Sequence, residues 1–189
     1  MRWLHIYLSM IGFSILLFFS VTGITLNHPH WFSSGQERQT SASGTLNVAW
    51  IEPRSDGRDL DRLEIVEFLR ATHHLGGAVS AFTVDEQQCV IAFKGPGYMA
   101  DIFIDRQSGE YEATQTFLGA VAIINDLHKG RDSGTAWSWL IDISAILMTL
   151  ISVTGLVLLF YIKRRRNSGL VVAFVGTVLA FAVFLWGVP

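Results

Sequence analysis

Six histidines carry most of the chemistry that this sequence could do: His5, His28, His30, His73, His74 and His128. A b-type haem iron asks a protein for two imidazoles at one depth on different elements, with apolar walls and hydrogen-bond partners that steady each ring. His28 and His30 leave a long apolar stretch on the side that His128 approaches from the polar part of the chain, so His28 with His128 is the best-placed pair. Interfacial polarity is the plainer reading of both, and His128 also falls near a helix C-terminus, where the dipole favours a cation. His30, next to Trp31, reads as interfacial, and His73 and His74, close to Gly76-Gly77, read as surface residues. His5 lies roughly 34 Å from His28 along one helix, too far to share a site within one subunit. It is either a haem ligand whose partner comes from a second copy in a homodimer, or a structural bond to a neighbouring helix. Asp142 stands inside another apolar stretch, where a carboxylate is costly and usually faces a bundle interior. It could orient a ligand histidine or relay protons, with Ser144, Thr22, Thr25 and Asn27 at roughly the right depth to donate to it.

Other chemistries lack their residues. No CxxCH haem attachment, CxxC zinc spacing, HExxH or phosphate loop occurs, which excludes hydrolysis and phosphoryl transfer by familiar means. With 14 Lys and Arg against 16 Asp and Glu, the charge is too balanced for electrostatic binding of nucleic acid. Cys89 is the single cysteine, so no internal disulfide forms, and the residue reads as part of a buried strand.

The elements that must position the histidines begin with hydrocarbon-length segments, for which about 20 apolar residues suffice. Residues 4–26, 137–162 and 170–188 qualify, giving three transmembrane helices. The first is too long for a signal-peptide core, and no small-x-small cleavage site follows it. Lys163, Arg164, Arg165 and Arg166 crowd the 163–169 loop, and Arg2 precedes the first span. By the positive-inside rule both mark the cytoplasmic face, so the N-terminus is cytoplasmic while the main domain and the C-terminus at Pro189 are periplasmic. Trp31, Trp137 and Trp139 then fall at one interface and Trp3 at the other. The two S-V-T-G segments, Ser20 to Gly23 and Ser152 to Gly155, run in opposite directions across the bilayer; their small residues suit close helix packing, and glycine could also leave room for a flat macrocycle.

Between the first two spans, 27–58 reads as a linker, rich in Ser, Gln, Thr and Gly from Ser33 to Asn47. A domain over 59–134 follows. Helical spacing from Asp59 to Leu75 predicts an amphipathic helix, and the segments Val79 to Val84, Cys89 to Phe93 and Tyr98 to Asp105, separated by Asp85-Glu86 and Gly95-Pro96-Gly97 and alternating most clearly over Met99 to Ile104, predict an antiparallel meander. A second helix is expected over Phe117 to His128. The fold class is thus membrane α-helical plus α+β.

Helix, meander and an Asp105-Arg106-Gln107-Ser108-Gly109-Glu110 turn resemble the PepSY domain. The whole chain resembles the PepSY-associated transmembrane family in Leu4-His5, Val21-Thr22-Gly23, Asn125 to Arg131 and Val153-Thr154-Gly155-Leu156. Larger relatives have more spans, so this chain looks like a minimal version. The resemblance implies haem b, with His28, His128 and His5 as ligand candidates and Asp142 and Asp126 in support. It also implies electron transfer across the inner membrane to ferric iron or a ferric siderophore, as a haem-dependent ferric reductase or a partner of iron transport. The other reading is a non-enzymatic, membrane-anchored PepSY module that docks to a peptidase, receptor or transporter complex, or an accessory subunit of one.

Overall fold

The computed structural model describes residues 2–32, 37–51 and 60–188. Asp59, Ser33 to Gln36 and Pro189 lie outside the described residues. Three helices are long and apolar enough to cross a membrane: α1 (Arg2–Asn27), α4 (Gly134–Tyr161) and α5 (Arg166–Gly187). The chain divides into two compact units, one of residues 1–18 with 140–189 and one of residues 19–139.

In the first unit most apolar side chains are exposed and the rest half-buried, as befits helices whose solvent is lipid rather than water. Polar side chains there satisfy themselves along the helix: Ser144 donates to the Leu140 carbonyl at 2.6 Å, Ser152 to Met148 at 2.9 Å and Thr177 to Ala173 at 2.9 Å. In hydrocarbon such a bond removes the cost of a bare hydroxyl. Gly12 is buried because Ile151 of α4 lies on it; a Cβ there would come within 2.5 Å of the Ile151 Cδ1.

The second unit is built on a five-stranded antiparallel sheet of order β1-β5-β4-β3-β2, with β1 Arg38–Thr45, β2 Ala78–Val84, β3 Gln88–Gly95, β4 Tyr98–Asp105 and β5 Glu110–Phe117. Alternation puts Cys89, Ile91 and Phe93 of β3, Ala100, Ile102 and Ile104 of β4, and Tyr111 and Ala113 of β5 on one face. In the same core are Ile65, Val66 and Leu69 of helix α2 (Arg62–His73). Each such side chain contributes about 1.5–3 kcal/mol on burial. The thiol of Cys89 is pushed up to about 11 by desolvation.

Turn chemistry sets the register. Asp85 Oδ1 accepts the N–H groups of Gln87 and Gln88 at 2.9 and 2.7 Å, and Asp105 Oδ1 those of Gln107 and Ser108 at 2.9 and 2.8 Å. These donors favour the ionised form and hold both carboxyls below their ordinary value of 3.8. Between β3 and β4, Pro96 presets the turn and Gly97 takes a positive φ of 63°, which a side chain would resist.

Four expectations need correction. The stretch expected as a linker contains β1, paired along its length with β5 from Arg38↔Phe117 to Thr45↔Glu110. Phe117 is the last residue of β5, and the second soluble helix, α3, runs Ala120–Lys129. The first soluble helix starts at Arg62 within the described residues and ends where His74 turns left-handed at φ 53°. His73 is no plain surface residue: its Nε2 meets the Tyr111 hydroxyl at 2.7 Å, and Tyr111 lies across Gly44, where a Cβ would come within 2.6 Å of that hydroxyl.

Candidate functional site

Helix α3 brings His128 to the membrane-proximal part of α1. Its apolar run Ala120 to Ile124 favours a helix, and Gly130 at φ 70° ends it, with the Arg131 N–H reaching back to the Asp126 carbonyl at 2.9 Å. This left-handed glycine closure satisfies carbonyls that the helix end would otherwise leave bare. The Trp137 indole N–H takes another, that of Leu127, at 2.8 Å. The tip of the β3–β4 hairpin is pinned to α3 as well: Asp126 Oδ2 accepts the Gly97 N–H at 2.9 Å. Asp126 therefore holds the hairpin rather than a histidine.

Residues one turn apart on α3 meet residues one turn apart on α1. Asn125 Oδ1 accepts the Thr25 hydroxyl at 2.8 Å, and His128 Nδ1 lies 2.6 Å from the Thr22 hydroxyl oxygen. The Phe19 ring meets the imidazole edge-on with centroids 5.2 Å apart, and a Cβ on Gly23 would sit 3.7 Å from its Cε1. Thr22 is 3 % exposed, so this bond is made away from water.

The other unit repeats the arrangement. His5 Nδ1 lies 2.9 Å from the Thr154 hydroxyl oxygen, and a Cβ on Gly155 would sit 3.1 Å from the His5 Cε1. Each S-V-T-G segment is thus a seat for one imidazole: the threonine takes Nδ1 and the glycine leaves room beside Cε1. The Thr154 hydroxyl has the Leu150 and Ile151 carbonyls within reach, at 2.7 and 3.0 Å, so its proton has a backbone acceptor and its oxygen is available to the ring N–H. Thr22 likewise has a backbone acceptor, the Phe19 carbonyl at 3.4 Å. A helical threonine habitually spends its proton this way. With the threonine proton on the backbone, each ring would carry its own proton on Nδ1 and leave the Nε2 lone pair available to a metal.

The remaining candidates stand elsewhere. His28 stacks flat on Trp31, with centroids 3.9 Å apart and planes 5° from parallel, and its Nε2 lies 3.4 Å from Asn27 Nδ2. Among the described residues no contact joins it to His128. His30 meets His28 and Trp31 edge-on. Asp142 is exposed on α4, and of the donors expected for it, Ser144 serves the Leu140 carbonyl and Thr25 serves Asn125 and the Thr22 carbonyl. Sequence reasoning missed the threonine partners, although the recurrence of Thr-Gly in both S-V-T-G segments was their signal. Among the described residues no group of three or more His, Cys, Asp or Glu could hold a metal ion, a geometry that a two-histidine haem site does not need.

Compared with known proteins, the chain matches, over residues 1–189, the family described as PepSY_TM-like. No curated protein and no solved structure matches it.

Proposed function

Because the chain belongs to the PepSY_TM-like family of membrane proteins, we propose that it is a haem-binding electron-transfer protein of the bacterial inner membrane that serves reduction of ferric iron or a ferric siderophore. The observation that supports this best is the pair of anchored imidazoles, His128 on Thr22 and His5 on Thr154. Iron-ligating histidines need their second nitrogen tied to an acceptor, which fixes the tautomer and raises the basicity of the ligating one. A threonine oxygen that accepts from Nδ1, at Thr22 and at Thr154, would answer that need, and this is what supports haem b. Bound there, haem would supply a one-electron ferric–ferrous couple.

His128 would hold the group through Nε2 near the end of α1, with Phe19 as an apolar wall and Gly23 leaving the ring its space. The second residue to hold it would be His28, once that ring leaves Trp31, or His128 of a second copy. His5 opens α1, and a site there would take its second ligand from a second copy. The cationic 163–169 loop and Arg2 would lie in the cytoplasm, and the β-sheet domain in the periplasm.

Absorbance of the full chain, purified in detergent from cells supplied with haem, tests the proposal. A Soret band that sharpens and shifts on dithionite is expected, with His128→Ala and His5→Ala each losing part of the bound haem. A folded, colourless protein would overturn the reading. The second reading, a docking module without redox chemistry, is favoured by one feature: an open groove of about 830 Å³ along β1, β4 and β5, where Phe103 is 52 % exposed.

A further inference from the structure

Beside the end of α1 lies a cavity of about 310 Å³ whose wall joins two kinds of surface. Leu26, Met99 and Leu118 line it with apolar atoms, while Lys94, Lys129 and Arg131 bring three cations to the same space. The cations come from separate places: Lys94 from the end of β3, Lys129 from the last turn of α3, and Arg131 from just past the Gly130 cap. All three are exposed, and among the described residues none forms an ion pair. Two acids, Asp126 and Asp132, also line the cavity, so the three cations outnumber them and the lining keeps a net positive charge; one oxygen of Asp126 is held by the Gly97 N–H.

Leu26 belongs to the last turn of α1 and Pro29 follows it, so the cavity opens where a membrane-spanning helix leaves the hydrocarbon. A ligand that fits must present an anionic group to the cations and an apolar chain to Leu26 and Met99. We propose that this cavity binds the phosphate of an anionic phospholipid, with the acyl chains running down α1. A phosphate ester is the shared chemistry of intact lipid, a diester, and of free glycerol 3-phosphate, a monoester, and the acyl contact is what selects the lipid. The cavity lies within the residue 19–139 unit, and the proposal is independent of haem.

The test is native mass spectrometry of the full chain in a neutral detergent, with phosphatidylglycerol and phosphatidylcholine supplied in equal amounts. Phosphatidylglycerol adducts should dominate. A juxtamembrane cation is worth about fivefold in affinity for an anionic lipid, so the K94Q/K129Q/R131Q variant should bind phosphatidylglycerol on the order of a hundredfold more weakly. The loop variant K163Q/R164Q, far from the cavity in sequence, should keep the wild-type adduct. If the triple variant fails to fold, K94Q and R131Q are measured singly, and each should lose about fivefold. Equal binding of the two lipids overturns the proposal, as does unchanged binding by the cavity variants. Displacement of the lipid by glycerol 3-phosphate at matching concentration also overturns it, since the cavity would then recognise the phosphate alone.

Discussion

Replacing Thr22 by Val tests the imidazole seat directly. Valine keeps the shape of threonine, so the change opens no cavity and removes only the hydroxyl oxygen that lies 2.6 Å from His128 Nδ1. At 3 % exposure, water cannot take its place at Thr22. A buried donor left without an acceptor costs about 1–3 kcal/mol, whereas bonds between helices in membrane proteins average about 0.6 kcal/mol. The expected loss is therefore about 1–2 kcal/mol, the lower part of the first range. Reversible unfolding of the full chain in mixed detergent micelles would measure it. A double-mutant cycle with His128→Phe, which retains a flat ring, isolates the pair and should return a coupling of about 1 kcal/mol. Nitrogen chemical shifts of labelled histidine give a second readout that a purely structural role would not move. His128 should be protonated at Nδ1 in the wild type and lose that preference in Thr22→Val. Thr25→Val, which breaks the neighbouring bond to Asn125, should leave those shifts unchanged. A coupling indistinguishable from zero, or a wild-type His128 protonated at Nε2 instead, would refute the reasoning.

The other expectations concern the soluble domain and the second seat. Asp85 and Asp105 have carboxyls held below 3.8, so their contribution to stability is complete above that pH and is lost as pH falls from 3.8 through the lower folded values. Thermal unfolding on either side of pH 3.8 should show a loss on the acid side that D85N/D105N flattens; an unchanged slope in that variant would count against the turn assignment. Cys89, buried in β3 with its thiol pushed up to about 11, should resist alkylation at neutral pH until the protein unfolds. Fast labelling of the native protein would contradict that burial. Gly155→Ala places a methyl 3.1 Å from the His5 Cε1, so the ring must shift. The His5 nitrogen signals should then lose the Thr154 bond while those of His128 stay, and unperturbed His5 signals would show that the seat has slack.

The three spans were legible because hydropathy is a local sum: each segment qualifies by its own residues, whatever the rest of the chain does. The meander was legible for the same reason, since Cys89 to Phe93 is a short apolar run bounded by the turn residues Asp85-Glu86 and Gly95-Pro96-Gly97. β1 was not. Its sequence, RQTSASGT, has no apolar alternation, and only pairing with β5 makes it a strand, at an edge that asks no hydrophobic side from it. The Phe117 boundary failed similarly, because an apolar residue serves the end of a strand as readily as the start of a helix.

In the candidate site, the sequence by itself determined which residues could act: the imidazoles, the Thr-Gly pairs and the order in which they occur. Tertiary structure decided the partnerships. His128 meets Thr22 across 106 positions and His5 meets Thr154 across 149, and no periodicity extends that far. The same packing put His28 on Trp31, left Asp142 exposed and gave His128 and His5 seats of one design. A hydrogen bond of under 3 Å depends on how two helices face each other, and that rotation is set by every side chain between them rather than by the residues that bond.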